Sequence, residues 1–172
     1  GSHGLLFLPY LQGERTPIWD PLARGMFFGI TGATQRSHMA RAVFEGVAMS
    51  LRHVIESLED VAGGEVGEIR AVGGGMRNAL WNQIKADVLQ KPFEILDFQD
   101  VGTLGTALIA GLGAGIYQSF QEVTEVARSV SSAQTVEPDA AQAEVYERLF
   151  ELYQRAYTQT KDIAHALADI DA

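Results

Sequence analysis

Apolar residues recur every three or four positions through Met39, Val43, Val47, Leu51, Val54, Ile55, Leu58 and Val61, which predicts one long helix from about Gln35 to Ala62 with that stripe buried. Gly63-Gly64 ends it. Upstream there is no helical period. Leu5-Leu6-Phe7-Leu8 is an apolar run of strand length stopped by Pro9, and Met26-Phe27-Phe28 is a second short extended segment ended by Gly29. Between them, Gly13 to Pro21 carries two prolines, which exclude a helix or a central strand and leave an ordered loop.

Downstream the pattern alternates. Glu68 to Val72 reads as a strand, Gly73-Gly74-Gly75 as a turn, Asn78 to Gln90 as a helix whose face is Leu80, Trp81, Ile84, Val88 and Leu89, and Pro92 to Leu96 as another strand. A third helix of small residues is expected from Gly105 to Ala114. Ser119 with Glu122 forms a capping box for a fourth, running to about Arg128. After Pro138 a last helix carries Tyr146, Leu149, Tyr153, Ala156, Thr160, Ile163 and Leu167 along one stripe. Strand and helix alternating after residue 65 imply an α/β layered domain.

At 172 residues and 47% hydrophobic content the chain holds one core and is too short for two full domains. Thirteen basic against 22 acidic residues give a net charge of −9, and no basic cluster exists to meet nucleic-acid phosphates. A phosphate site in such a chain has to be built locally from backbone N–H groups. Cysteine is absent, which excludes disulfides and thiolate chemistry and fits a cytoplasmic setting. No apolar run is long enough to span a membrane. Residues 1–3, Gly-Ser-His, read either as the remnant of a cleaved tag or as native sequence and carry no weight in the expected fold; residues 4–172 form the domain portion.

The most informative local feature is strand, three glycines, helix. Gly73, Gly74 and Gly75 have no Cβ to hold a ligand off the backbone, and a helix start offers unpaired N–H groups to negative charge. Asn78 stands where its amide serves as a helix cap or reaches a nucleotide. The same residues also suit an ordinary glycine-rich turn. Neither a Walker A loop nor the dinucleotide fingerprint is present. Gly111, Gly113 and Gly115 are read as helix packing and termination. Glu14, Asp20, Asp97 and Asp100 are carboxylates without a partner at a catalytic spacing. Asp20 before Pro21 is expected to organise a turn and Glu14 to pair with Arg15. The four histidines form no metal set. Glu45, among apolar neighbours, is expected to be a buried acid paired for structure.

These segments resemble the FGGY carbohydrate kinases. Gly25-Met26-Phe27-Phe28-Gly29-Ile30, then His38-Met39 and Ala42-Val43-Phe44-Glu45, is similar to the family's C-terminal signature. Gly13-Glu14-Arg15-Thr16-Pro17 and Asp20-Pro21-Leu22-Ala23-Arg24-Gly25 look like the xylulose kinase branch. Gly73-Gly74-Gly75 with Asn78, Trp81, Gln83 and Ala86-Asp87-Val88-Leu89 resembles the adenine-nucleotide segment, and Leu104-Gly105-Thr106-Ala107 the helix after it, with Thr106 where Ala is usual.

The resemblance implies an incomplete C-terminal actin-like (ribonuclease-H-like) domain on the nucleotide side of a sugar kinase. Gly73, Gly74, Gly75 and Asn78 would face ATP, which is used with Mg²⁺. No catalytic residue and no metal ligand would lie in this chain, since the Gly-Asp-Gln-type motif that carries the general base is upstream and the N-terminal domain lies outside these residues. The sugar implied is D-xylulose, with gluconate, glycerol or another polyol as alternatives. A non-catalytic nucleotide-binding or assembly domain is the reading from another class. The expected partners are ATP, the sugar, the missing N-terminal domain and a second copy of the chain, with neither nucleic acid nor membrane, and on its own the chain is expected to be inactive.

Overall fold

The computed structural model describes residues 1–97, 100–130 and 132–170. Ten elements alternate along the chain: β1 (Leu6–Leu8), β2 (Met26–Phe28), α1 (Arg36–Ala62), β3 (Ile69–Ala71), α2 (Ala79–Leu89), β4 (Phe93–Asp97), α3 (Val101–Gly113), α4 (Phe120–Val130), β5 (Ser132–Val136) and α5 (Ala143–Ile170). They make two small sheets. β1 and β2 pair antiparallel with Phe7 opposite Phe27, while β3 and β4 run parallel with Arg70 opposite Glu94, and β5 closes the second sheet antiparallel to β4.

β1 is buried on both faces, and its alternation divides the core. Leu6 and Leu8 join Tyr10, Met49, Ile84, Val88, Tyr146, Phe150 and Tyr153; Leu5 and Phe7 join Ala42 with Met39, Val43 and Phe27. In the second sheet Phe93 and Ile95 face Ile55, Ala86 and Leu89. The opposite face, with Arg70, Glu94 and Leu96, lines a cavity of about 320 Å³ together with Thr124 and Arg128 of α4. Helix α1 therefore serves both sheets, its first half on β1 and its second on the core behind β3 and β4.

Where its ends are concerned, α1 matches expectation: Gln35 and His38 form a reciprocal capping box, and Gly63 closes the helix in a left-handed conformation. Its buried residues do so only in part: Ile55 is buried as expected, and Met39, Val43 and Leu51 pack half-buried against the core. Leu58 and Val61 are 54% and 89% exposed, while Ala42, Glu45, Gly46, Ala48 and Met49 are buried. A helix flanked by β1, α2 and α5 is covered on several sides in its middle, and its last turns project past those neighbours. On α5 the stripe is also shifted. Tyr146 and Tyr153 are buried as expected, but Phe150, Ala164 and Ala168 are buried too, whereas Ile163 and Leu167 are more than half exposed.

Two further differences concern boundaries. α3 starts at Val101, because the Asp100 carboxylate accepts the Thr103 N–H at 2.9 Å and caps the helix four residues before Gly105. β5, Ser-Ala-Gln-Thr-Val, has no strand-like apolar alternation and forms by pairing along the free edge of β4. Ser119 and Glu122 do cap α4, the serine hydroxyl accepting the Glu122 N–H and the Glu122 carboxylate the Gln118 N–H.

Residues 1–3 take part in the fold. Ser2 is 2% exposed, its N–H donates to Glu45 Oε2 at 3.1 Å and its hydroxyl to the Leu5 carbonyl. Glu45 Oε1 also accepts from Arg41 Nε at 2.8 Å and Tyr146 OH at 3.1 Å, which is the structural pairing expected for this acid.

A Cβ at Gly46 would lie 2.3 Å from the Phe7 carbonyl oxygen, so α1 crosses β1 backbone to backbone. Gly46→Ala is expected to cost about 3 kcal/mol, as overpacking does in a tight core, and to lower the melting temperature by roughly 10 °C for a domain of this size. Gly64→Ala, with nothing within 4 Å of its Cβ, serves as the control in the same thermal melt. Equal melting temperatures for the two variants would contradict the close crossing.

Candidate functional site

The chain leaves β3 at Ala71, passes Val72 and turns at Gly73, whose φ of 99° and ψ of −179° suit glycine alone. Gly74–Arg77 form one 3-10 turn, closed by the Met76 N–H on the Gly73 carbonyl at 3.0 Å. Asn78 follows as the cap of α2, its Oδ1 accepting the Trp81 N–H at 3.1 Å. The cap role foreseen for Asn78 is thus in place, and its side-chain NH₂ makes no hydrogen bond among the described residues.

The four residues expected at a nucleotide, Gly73, Gly74, Gly75 and Asn78, come together on one exposed turn. Cβ atoms at Gly73 or Gly74 would meet nothing within 4 Å, so this side of the turn is bare backbone with open space before it. The first N–H groups of a helical turn have no partner within it, which leaves them free for an acceptor outside. Gly75 faces inward, its Cβ position 3.1 Å from Trp81 Cζ3.

Beneath the turn lies a platform from α2. The Trp81 indole stacks on Phe44 of α1 at 5.2 Å between centroids and donates Nε1–H to the Phe44 carbonyl at 3.3 Å. Asn82, 3% exposed, donates to the Met76 carbonyl at 2.7 Å. Lys85, 4% exposed, sets its Nζ 3.9 Å over the Trp81 ring and 3.7 Å from Met76 Sδ, and burial lowers its pKa. Sequence reasoning missed Lys85; its only signal is a lysine on the apolar face of a predicted helix.

Gln83 and Asp87 do other work: Gln83 donates to Asp87 Oδ1 and to the Glu137 carbonyl, and Asp87 accepts the Asp139 N–H, tying α2 to the segment before α5. Thr106 returns its hydroxyl to the Gly102 carbonyl one turn back.

The candidate carboxylates are dispersed. Glu14 does not form the expected ion pair with the Arg15 side chain; its Oε1 accepts the backbone N–H groups of Arg15 and Thr16 at 2.7 and 3.2 Å, a local turn satisfying the donors closest to it. Asp100 is a helix cap. The Asp97 side chain lies outside the described residues. Asp20 does organise its turn, accepting the Leu22 N–H at 3.0 Å, and it also accepts from Tyr157 OH at 2.8 Å and meets His165 Nε2 at 2.8 and 2.9 Å. Among the described residues no group of three or more His, Cys, Asp or Glu is arranged to hold a metal ion, and no helix is long and apolar enough to cross a membrane.

Residues 1–114 match the family model for the FGGY family of carbohydrate kinases, C-terminal domain. The chain belongs to that family. A xylulose kinase of Bacillus subtilis is 38% identical over 97% of the chain and 33% of its own length. The crystal structure of xylulose kinase from Rhodospirillum rubrum superposes with a TM-score of 0.81 at 33% identity, over 96% of this chain and 32% of that one. The crystal structure of Plasmodium falciparum glycerol kinase with ADP gives 0.76 at 28%, over 93% and 31%. This FGGY chain spans about a third of the length of those relatives, and its fold is the expected α/β arrangement, a partial actin-like (ribonuclease-H-like) domain.

The buried Asp20 contact gives the FGGY chain a pH dependence. Burial pushes the Asp20 carboxyl up, but hydrogen bonds from His165, Tyr157 and the Leu22 N–H, with the charge of His165, outweigh it and hold the pKa below its ordinary value of 3.8. A carboxyl lowered on folding stabilises fully above its unfolded pKa and loses that contribution as pH falls through the folded one. Asp20→Asn is expected to cost roughly 2 kcal/mol at pH 7, the scale of a buried partner left unsatisfied, and to flatten the loss of stability below pH 4. Urea titrations at pH 7 and pH 3 measure both; a variant as steeply acid-sensitive as the parent would contradict the assignment.

Proposed function

We propose that this chain is the nucleotide-side part of an ATP-dependent carbohydrate kinase, one that phosphorylates a hydroxyl of a small sugar, with D-xylulose as the preferred substrate. The observation that carries the reading is the exposed turn Gly73-Gly74-Gly75, with bare backbone N–H groups on its open side and the Asn78 amide beside it. ATP lies with its adenosine and α-phosphate over Gly73 and Gly74, and Asn78 donates its free NH₂ while its oxygen holds the start of α2. The platform of Trp81, Asn82 and Lys85 keeps the turn from moving when the ligand arrives. A backbone cradle suits this acidic chain, because dipoles fixed in place stabilise phosphate without a basic cluster.

Phosphoryl transfer depends on positioning and on stabilising charge around the transferred group. This chain supplies positioning at the adenosine end. Mg²⁺ comes with the nucleotide in this reading and neutralises phosphate charge; the described residues include no cluster fitted to hold it. The acid that accepts the sugar hydroxyl's proton belongs to the part of the enzyme outside these residues. The relatives' names favour xylulose among acceptors, and the likeness to a glycerol kinase keeps the class at sugars and polyols.

Two measurements test the reading. In the full-length kinase Gly74→Val is expected to raise the ATP KM at least tenfold with the sugar KM unchanged, because the side chain enters space that only a ligand fills. Asn78→Ala is expected to act in the same direction and more weakly, by about 1–2 kcal/mol for one hydrogen bond plus the cap. The 172-residue chain with Mg²⁺, ATP and D-xylulose is expected to release no sugar-dependent ADP. An unaltered ATP KM in Gly74→Val overturns the cradle. Turnover near about 10 s⁻¹ from the chain alone overturns its role as one part of the catalyst.

A further inference from the structure

The loop between β1 and β2 presents an exposed tryptophan in an unusual backbone conformation. Trp19 is 75% exposed and has a φ of +41°, a region that bulky side chains rarely occupy. Its neighbour Ile18 packs against the main core, so the chain enters the interior at one residue and turns the next outward. Such a conformation persists only where surrounding structure enforces it. Here the enforcement is visible: Glu14 and Asp20 exchange both backbone hydrogen bonds at 2.8 and 2.7 Å, closing the loop at its base, and the Asp20 side chain is locked to Tyr157 and His165 of α5.

Around the indole lies a cavity of about 330 Å³ lined by Gln12, Glu14, Arg15, Trp19 and Pro21. This is within the roughly 300–1,000 Å³ range of small-molecule sites. Three of its polar groups are unpaired among the described residues: the Gln12 amide, the Arg15 guanidinium and Glu14 Oε2, the last because Oε1 alone takes the two backbone N–H groups. The cup therefore offers one flat apolar face together with donors and acceptors at its rim.

We infer that this cup binds a polyhydroxylated small molecule, a sugar or polyol, with the C–H face of the ligand on the Trp19 indole and its hydroxyls on Gln12, Glu14 and Arg15. The chemistry selects that class. A phosphate would meet the Glu14 carboxylate, which repels it, and an apolar segment would bury three polar side chains without partners. Vicinal hydroxyls both donate and accept, so they satisfy a carboxylate, an amide and a guanidinium together. The loop is held at its base before the ligand arrives, so little ordering opposes binding. The choice of sugars as ligands rests on the kinase reading above, and places a sugar contact in this chain in addition to the nucleotide cradle.

The test is an NMR titration of the ¹⁵N-labelled 172-residue chain, whose two indole N–H signals belong to Trp19 and Trp81. D-xylulose, xylitol, gluconate and glycerol are added separately at millimolar concentrations. At least one is expected to shift the Trp19 signal saturably and leave Trp81 in place. Arg15→Gln is expected to weaken that binding several-fold, and Trp19→Ala to remove saturable shifts from the Gln12 and Glu14 amides, with unchanged circular dichroism confirming the fold. No saturable shift with any of the four, or equal shifts at both indoles, overturns the proposal. A Trp19 signal that moves with protein concentration and not with sugar assigns the surface to a second copy of the chain and overturns it too. A parallel titration with ATP, read at the Gly73, Gly74 and Gly75 amides, reports on the cradle separately, so either site can fail without the other.

Discussion

Three consecutive residues of α1 point in three directions and hold three neighbours. At about 100° of rotation per residue, Phe44 turns to α2, Glu45 to the first residues and α5, and Gly46 to β1. Phe44 stacks on Trp81 and takes its indole N–H, and Glu45 accepts from Ser2, Arg41 and Tyr146. Gly46 lets the Phe7 carbonyl approach to a distance no side chain permits. Burying a carboxylate in the middle of this is costly unless hydrogen bonds surround it, and removing one partner would leave charge stranded. Glu45 thus favours one arrangement of α1, α5 and the N-terminal segment over others that would bury the same apolar area.

From that triplet the candidate site inherits its rigidity. The glycine turn rests on Trp81, which rests on Phe44, so the open backbone of Gly73 and Gly74 is fixed through two ring contacts to the helix that carries the core. Asn82 and Lys85 add a polar underside with little access to water. A turn built on fixed supports would lose less entropy on binding a ligand than a free loop does. This reconciles a flexible residue type with a site that requires a defined shape.

The last helix does the same for the segments that precede α1. Along α5, Tyr146, Tyr153, Tyr157 and His165 each direct a polar tip toward the residues before or within α1: Glu45, Tyr10 and, for the last two, Asp20. The Tyr10 and Tyr153 hydroxyls lie 2.6 Å apart, and burial pushes the Tyr10 hydroxyl up to about 12, so that contact keeps its protons through the physiological range. Apolar packing of these rings gives area, and their tips give register. The glycine turn and the Trp19 loop therefore stand on separate supports, one on α1 and α2, the other on α5.

Much of this was legible in the sequence because local rules decide it. The period of α1, its ends at Gln35 and Gly63, the strand-turn-helix around Gly73 and the capping of α4 by Ser119 all follow from residues close together in the chain. The identity of the turn residues was legible for the same reason, since only glycine adopts the Gly73 conformation without strain. What lay beyond it is non-local. β5 is polar and becomes a strand because β4, far from it in the chain, offers an unpaired edge. Ala164 and Ala168, not Ile163 and Leu167, face the interior, because close packing selects small residues where backbones approach, whatever their hydrophobicity. The pairing of Asp20 with His165 and the support of Gly75 by Trp81 likewise exist only once distant segments meet. Sequence determined the elements other than β5 and which residues the turn needs; the tertiary structure decided β5 and what each buried group touches, because contact partners are set by the packing of distant elements against one another.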